Sequence, residues 1–239
     1  MPGLGTIINA AAIIVAGLLG LLFGRFLTSR IQDILVKACG LGCLVIGFSG
    51  ALKALWTVSD ESTWRSGTLM MIVALCLGGL IGELLGIERG LEKLGTWLRE
   101  KSGSSGDSRF LDGFITASLI LPVGAMAVIG PMNDALYGDY TILIAKSIMD
   151  ASIVFALAAT YGKGTIFSVL PVVAVQGLFT ALAFLIAPIM TGPALNNLSI
   201  VGSTLIVGIG LNLIFEKTFH LANYLPALVI AVLWGLFIG

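Results

Sequence analysis

The chain has few charged residues, few cysteines and a single histidine, and each shortage excludes a class of protein. Charged residues make up 11% of its 239 residues and hydrophobic residues 57%, with a mean hydropathy of +1.05. A water-soluble domain carries about 25% charged residues, so soluble enzymes, nucleic-acid-binding proteins and disordered chains are excluded. The sequence predicts an all-α integral membrane protein whose first partner is the lipid bilayer.

Metal and cofactor sites lack the residues that they need. Cys39, Cys43 and Cys76 lie in apolar runs, and His220 is the only histidine. Neither a disulfide framework nor a zinc site is expected. Thirteen Lys and Arg balance thirteen Asp and Glu, so no nucleic-acid partner is indicated. No P-loop and no H-E-x-x-H motif occurs, and we expect no cofactor and no enzyme activity.

Apolar runs of about 20 residues predict spanning helices, and the sequence contains eight such spans. The uncharged stretch from Gly164 to Phe215 is too long for one helix, so we divide it at the turn that Pro188 and Pro193 favour. The eight spans are Leu4–Gly24, Ala38–Leu52, Ser66–Gly82, Gly113–Asn133, Tyr140–Thr160, the two halves of 164–215, and Leu221–Gly239.

The distribution of basic residues predicts the orientation of these spans. With eight alternating spans, one face of the membrane carries ten of the thirteen Lys and Arg residues and the other face carries three. If the fourth span were re-entrant, the two faces would carry nine and four of these residues. Because cytoplasmic loops are enriched in Lys and Arg, the richer face is predicted to be cytoplasmic and both termini to lie outside. The ten residues are Arg25, Arg30, Lys37, Arg89, Lys93, Arg99, Lys101, Arg109, Lys163 and Lys217.

The spans divide the chain into three segments. Residues 1–86 form an N-terminal half of three helices, and residues 112–239 a C-terminal half of five helices. Between them, residues 87–111 are predicted to form a cytoplasmic amphipathic helix, followed by the Gly/Ser linker 102–108. The apolar stripe of that helix is Ile87, Leu91, Leu94, Trp97 and Leu98.

Two stretches of the chain resemble each other in a way that indicates an internal repeat. Leu44–Leu52 of the second span matches Leu205–Leu213 of the seventh, with Gly47 aligned to Gly208. Spans that are five apart cross the membrane in opposite directions, so the match predicts an inverted-topology duplication, as found in many secondary transporters. Chance similarity between apolar helices is the alternative.

The fifth span contains the charges that most need an explanation. Lys146 and Asp150 are four residues apart, so they share one face of a helix. An unpaired charge inside the membrane costs several kcal/mol, so the two must face protein, water or each other. They form either a site for a coupling ion or solute, with Asp150 as the acceptor of a proton or cation, or a structural ion pair.

The fourth span is predicted to be a broken helix. Pro122 and Pro131 each remove a backbone donor and clash with the preceding turn, and carbonyls freed in this way are tolerated only beside protein or a water-filled cavity. Asn133 and Asp134 follow at its end. Either they form part of a ligand site, or the span is an ordinary kinked helix with both residues in its exit loop.

Three amides lie alone in apolar spans: Asn9, Gln176 and Asn212. Such residues usually form interhelical hydrogen bonds that serve packing, but together they are also candidates for a binding site. Glycines four residues apart allow close helix packing, within the chain or in a homodimer. These glycine stripes are Gly20 with Gly24, and Gly78 with Gly82 and Gly86.

Five blocks spread over the chain resemble the bacterial YqgA/YdfK-like membrane proteins, a domain-of-unknown-function family (number 554). The blocks are Gly5–Ala10, Gly82-Glu83, Gly138–Asp150, Pro171–Gly177 and Asn223–Leu228. The resemblance implies a protein of the bacterial inner membrane and brings no catalytic residues with it. Pro131 departs from the Ser or Leu expected there, which sharpens the break in the fourth span.

These features favour a secondary transporter for a small polar solute or ion. The predicted mechanism is alternating access around a site in the membrane, coupled to a proton or cation. A channel would use the same polar residues without rocking halves, and a structural membrane protein would use the glycine stripes as its interface. Both remain alternatives at the level of the sequence.

Overall fold

The computed structural model describes residues 2–56, 61–104, 106–107, 109–122, 126–215 and 219–237, with the backbone alone for 61–66. This part of the chain is helical and contains no strand. The helices are α1 (Leu4–Gly24), α2 (Ser29–Trp56), α3 (Glu61–Leu85), α4 (Ile87–Lys101), α5 (Phe110–Ile120), α6 (Met126–Tyr137), α7 (Thr141–Tyr161), α8 (Val169–Ala181), α9 (Ala183–Ile186), α10 (Gly192–Phe215) and α11 (Pro226–Phe237), with 3₁₀ turns at Gly162–Ser168 and Leu221–Tyr224.

The prediction of an all-α membrane protein is confirmed. Within the described residues, five helical stretches are long and apolar enough to cross a membrane, and two more are apolar but shorter. The count of eight spans and the internal duplication stay predictions. The five long stretches are Leu4–Gly24, Ser29–Trp56, Gly67–Leu85, Thr141–Ala181 and Gly192–Phe215; the shorter ones are Phe110–Ile120 and Leu221–Phe237.

The predicted break in the fourth span is confirmed. Helix α5 ends at Ile120 and α6 begins at Met126, with Pro122 between them; residues 123–125 lie outside the described part of the chain. Proline in a helix interior removes a hydrogen bond and clashes with the turn before it. The expectation that Pro131 sharpens this break is wrong, because α6 continues through Pro131 to Tyr137.

Helix α6 continues past the two polar residues that were expected at its end or in a loop. It ends in an αL cap, in which Gly138 has a φ of 69° and a conformation that glycine adopts without strain. The Gly138 N–H donates to the Asp134 carbonyl, and the Asp139 N–H donates to the Asn133 carbonyl. Asn133 and Asp134 are therefore inside the last two turns of α6.

The chain forms two compact units that are interleaved along the sequence. The first unit comprises the described residues of Met1–Cys39, Leu91–Pro122 and Met126–Phe184, and the second those of Gly40–Gly90 and Leu185–Gly239. The segments of each unit make most of their contacts with other segments of the same unit. The division of the chain into segments 1–86, 87–111 and 112–239 stays a prediction.

In the first unit, α1 and α7 pack along their whole length in the same direction. Gly5 lies beside Leu143 near the start of both helices, and Gly24 lies against Ala159 near the end. A Cβ added at Gly24 would lie 2.9 Å from the Ala159 Cα, so glycine is needed there for this close approach. The chain then turns back, and α8 runs along α1 in the opposite direction.

In the second unit, α2 packs on α10 and α3 packs on α11, each pair antiparallel. A Cβ at Gly47 would lie 2.8 Å from the Ser203 carbonyl, and one at Gly78 would lie 2.6 Å from the Ala227 Cα. Asn223, in the 3₁₀ turn before α11, lies against Gly82. A buried apolar cluster fills the space between these helices: Ala54, Leu55, Met70, Ala74, Ile200, Val201, Ala227 and Ala231.

Four of the five stripe glycines pack against other segments of the same chain, whereas Gly86 lies after the end of α3 with a φ of 65° and does not belong to the stripe. Gly20 and Gly24 contact α7, while Gly78 and Gly82 contact the segment from Asn223 to Ala227. These surfaces are therefore already used within each unit, and a homodimer formed through them is not supported.

The predicted amphipathic helix is α4, and its apolar stripe is only partly buried. Leu98 is buried, whereas Leu94 and Trp97 are 41% and 54% exposed. The Gly/Ser linker begins with a turn at Gly103, which has a φ of 66°; its residues 105 and 108 lie outside the described part of the chain. The exposed face of α4 is suited to the membrane interface.

Candidate functional site

Lys146 and Asp150 form a buried ion pair near the middle of α7. The Lys146 Nζ lies 2.8 Å from Oδ1 and 2.7 Å from Oδ2 of Asp150. Both side chains are less than one-tenth exposed. The helical spacing of four residues places them one turn apart on one face, as the sequence predicted, and the two charges face each other inside the first unit.

The broken helix supplies a third member of this site. Lys146 Nζ donates a hydrogen bond of 2.6 Å to the carbonyl of Leu121, the residue that follows α5. The last carbonyls of a helix have no intrahelical donor and carry partial negative charge. A buried ammonium at this position therefore satisfies a carbonyl that the break has exposed.

Asn9 brings α1 into the same site. Its Nδ2 donates to Asp150 Oδ2 over 3.0 Å, and the side chain is completely buried. The close packing of α1 on α7, which Gly5 and Gly20 permit, allows so short a side chain to reach the carboxylate. We refer to Asn9, the Leu121 carbonyl, Lys146 and Asp150 as the ion-pair site.

The ion-pair site is energetically demanding, and this limits what it can be. Burying two charges costs several kcal/mol per ion, which is recovered only when the partners are close and well hydrogen-bonded. Removing one partner of such a pair typically costs about 3–5 kcal/mol, because the other charge is left in the interior. The arrangement can accept a proton at Asp150, or exchange either partner for an ion or solute of the same charge.

Asp134 lies near the start of α1, where it forms a second polar contact in the first unit. It is 1% exposed, and its Oδ2 accepts the backbone N–H of Gly5 over 2.9 Å. The first N–H groups of a helix lack intrahelical acceptors and carry partial positive charge, so the carboxylate is placed where it is favoured. Asn133, the neighbouring residue, is only partly buried.

The remaining two amides have different surroundings. Gln176 of α8 is completely buried in the first unit, and neither its Oε1 nor its Nε2 has a hydrogen-bond partner among the described residues. Asn212 belongs to the second unit. Its side chain accepts the Phe219 N–H and donates to the Phe219 carbonyl, which ties the chain after α10 to that helix.

Sequence reasoning missed a polar network in the second unit. Glu88, at the start of α4, is 3% exposed, and its Oε2 accepts the backbone N–H of Ala222 over 3.2 Å. Its own N–H donates to Asn223 Oδ1 over 2.8 Å, and Asn223 Nδ2 donates to Glu83 Oε2 over 2.6 Å. His220 Nδ1 lies 3.1 Å from Glu88 Oε1. We call this set the Glu88 network.

A signal for two of the missed residues exists in the sequence. Thr6, whose hydroxyl is buried without a hydrogen-bond partner among the described residues, precedes Asn9 by three residues, which places both on one face of α1. Glu88 precedes Leu91 by three residues and Leu98 by ten, so it shares the buried stripe of α4. No group of three or more His, Cys, Asp or Glu side chains suited to a metal ion occurs in the described ranges.

Comparison with known proteins places the chain in a family. Residues 4–236 match the family described as "Protein of unknown function (DUF554)". The chain belongs to the DUF554 family. This match confirms the resemblance seen in the sequence blocks.

Two relatives of the family align with nearly the whole chain. The "Uncharacterized membrane protein YdfK" of Bacillus subtilis (strain 168) is 30% identical over 95% of this chain and 93% of its own length. The "Uncharacterized protein YqgA" of Escherichia coli (strain K12) is 28% identical over 96% of this chain and 94% of its own length. No solved structure matches significantly. The DUF554 relatives support a membrane protein and name no activity.

Proposed function

We propose that this protein is a secondary transporter that moves a small polar solute or ion by alternating access, coupled to a proton or cation. The observation that carries the proposal is the ion-pair site. A fully buried ammonium and carboxylate lie in a long apolar helix, where charge is costly, and the Lys146 side chain contacts the interrupted helix α5. Interrupted helices beside polar groups at membrane depth are typical of transporter binding sites.

The roles of the residues follow from their contacts. Asp150 is the group that accepts the coupling proton or cation, because it carries the negative charge of the ion-pair site, where Lys146 and Asn9 donate hydrogen bonds to it. A proton or a cation bound to the Asp150 carboxylate weakens the attraction between Asp150 and Lys146. Lys146, which is already hydrogen-bonded to the Leu121 carbonyl, is then free to attract an anionic group in place of Asp150. A change of partners of this kind provides two states that a coupling ion can bias.

The experiment is solid-supported-membrane electrophysiology on proteoliposomes, with pH and Na⁺ jumps and a panel of small anions, amino acids and cations. Asp150→Asn alone would leave the Lys146 charge buried without its partner, so the informative variant is the uncharged double substitution Lys146→Gln/Asp150→Asn. We expect a solute-dependent transient current in the wild-type protein and its loss to background in this variant.

A second ion pair in the chain offers a matched control. Asp33 and Lys37 also lie four residues apart, 2.8 Å from each other, but their side chains are about half exposed. Exposed pairs contribute little to stability, so Asp33→Asn/Lys37→Gln should keep the full current. An internal pH dye detects electroneutral exchange. If no gradient produced either a current or a pH change, the transport proposal would be wrong; a steady conductance without transients would favour a channel.

A further inference from the structure

Among the described residues of the first unit, Asp150 is paired with a basic side chain and Asp134 is not. Lys146 contacts Asp150, so the ion-pair site is neutral as a whole. Asp134 is equally buried, and its carboxylate accepts the Gly5 N–H at the start of α1. Its second oxygen, Oδ1, is buried without a hydrogen-bond partner among the described residues. A helix N-terminus supplies only about half a positive charge, so a buried negative charge is left partly uncompensated.

Two more oxygens without partners lie on α1 next to this carboxylate. Thr6 directly follows Gly5, and Asn9 lies one turn further along. Thr6 Oγ1 and Asn9 Oδ1 are both buried and have no hydrogen-bond partner in the described structure. Buried polar atoms are nearly always satisfied by protein, water or a ligand, so these oxygens require a partner of one of these kinds.

Gln176 reaches the same level of the first unit from α8. Helix α8 runs antiparallel to α1: Ile166, just before α8, lies beside Gly17, and Thr180 lies beside Gly3. Gln176 is one helical turn, about 5–6 Å, before Thr180, which places it at the level of Thr6. Helices α1, α6 and α8 all pack on one another, and the Gln176 amide has both polar atoms unpartnered.

We propose that Asp134, Thr6, Asn9 and Gln176 bind a monovalent cation, for which Na⁺ is the probe. Hard cations prefer carboxylate, amide and hydroxyl oxygens. Here α6 supplies a carboxylate, α1 supplies a hydroxyl and an amide, and α8 supplies a second amide. A single carboxylate matches one positive charge, whereas a divalent ion would leave excess charge in the interior.

Asn9 connects this cation site to the ion-pair site. Its Nδ2 donates to Asp150, while its Oδ1 has no hydrogen-bond partner among the described residues and is left for the proposed cation. One amide therefore contacts both sites, and the presence of the cation fixes its orientation. A coupling role for this cation, beside the ion that Asp150 accepts, rests on the proposed transport function, whereas the binding of the cation does not.

The experiment measures equilibrium binding of ²²Na⁺ to the purified full-length protein in nanodiscs by scintillation proximity. We expect saturable binding that unlabelled Na⁺ displaces and N-methyl-D-glucamine does not. Thr6→Val keeps the shape of the side chain and removes the hydroxyl, and Asp134→Asn removes the charge. Each should weaken ²²Na⁺ binding about tenfold or more.

Asp139→Asn is the matched control, because Asp139 is an exposed carboxylate five residues after Asp134. Hydrogen bonds from the hydroxyl and the backbone N–H of Thr141 hold its pKa below the ordinary value, and asparagine can still accept the backbone N–H. This variant should bind ²²Na⁺ like the wild type. Gel filtration and thermal unfolding establish that each variant is folded.

Two results would overturn the cation site. The first is the absence of saturable ²²Na⁺ binding to the wild type, and the second is an affinity of the folded Thr6→Val and Asp134→Asn variants for ²²Na⁺ that equals that of the wild type. The second result would show that Na⁺ binds elsewhere, and the first that water or a proton satisfies these oxygens. Binding at the predicted residues without flux of any solute would contradict the transport function and leave the cation site in place.

Discussion

Single buried side chains hold the turns of this protein in place, and Glu88 is the clearest case. The 3₁₀ turn Leu221–Tyr224 precedes α11 and contains backbone donors that no helix satisfies. Glu88 accepts one of these donors, from Ala222, and its backbone N–H donates to the Asn223 side chain. These two hydrogen bonds join the start of α4 to the 3₁₀ turn that precedes α11.

The first prediction at this scale concerns the carboxylate itself. Glu88→Gln replaces an acceptor oxygen by an amide NH₂ in a buried site, so one donor would face another. We expect the free energy of unfolding to fall by about 1–3 kcal/mol, the usual cost of an unsatisfied buried group. Glu100→Gln, at an exposed position of the same helix, should change it by less than about 0.5 kcal/mol.

Thermal unfolding of the detergent-solubilised protein measures both variants under one condition. Equal stability of Glu88→Gln and Glu100→Gln would show that the Glu88 network contributes little, and that apolar packing alone positions the 3₁₀ turn.

At the scale of helices, glycine decides which faces approach each other. Lipid is as apolar as the side chains of a membrane helix, so packing of small residues replaces the hydrophobic drive that operates in water. Gly78 lies against the backbone of Ala227, whereas Gly42 of α2 has no atom within 4 Å of an added Cβ. Both are helix-interior glycines of the second unit, and they differ in their neighbours.

These two glycines form a matched pair for substitution. Gly78→Ala should destabilise the protein by about 1–3 kcal/mol, since overpacking forces helix α3 away from α11. Gly42→Ala should be neutral or stabilising by up to about 1 kcal/mol, because alanine is the better helix former. Thermal unfolding tests both. If Gly78→Ala were as stable as Gly42→Ala, close packing of α3 on α11 would be refuted.

At the scale of the whole molecule, helix directions within each unit agree with an alternating path through the membrane. In the first unit α1 and α7 are parallel and α8 is antiparallel to them; in the second unit α2 and α10 are antiparallel, as are α3 and α11. In the eight-span prediction, α1 and α7 are spans one and five, and α2 and α10 are spans two and seven. Two spans whose numbers differ by an even number cross the membrane in the same direction, and two whose numbers differ by an odd number cross it in opposite directions.

Single-cysteine labelling tests this path. Gly106 and Gly192 are exposed and have open space around an added Cβ, so Gly106→Cys and Gly192→Cys should be tolerated in a background without Cys39, Cys43 and Cys76. The eight-span prediction requires three crossings between the two positions. A membrane-impermeant thiol reagent should therefore label Gly106→Cys from the cytoplasmic side and Gly192→Cys from outside. Labelling of both from one side would refute the count.

The sequence by itself determined the fold class, the family and the ion pair. Hydropathy and the scarcity of charge require a helical membrane protein because every backbone polar group in lipid must be satisfied within the chain. Lys146 and Asp150 were recognisable because their spacing is local, a property of one helix. The break at Pro122 was predicted for the same reason, since proline acts on its own turn.

Only the tertiary structure decided which of the polar residues meet. The contacts of Asn9 with Asp150 and of Gly5 with Asp134 join residues more than a hundred positions apart, and no periodicity encodes such a contact. The structure brought Lys146 to the Leu121 carbonyl, gave Asn212 a local role beside Phe219, and revealed Thr6 and Glu88. These pairings depend on how closely the glycine faces pack, which is a property of two helices and cannot be read from either one.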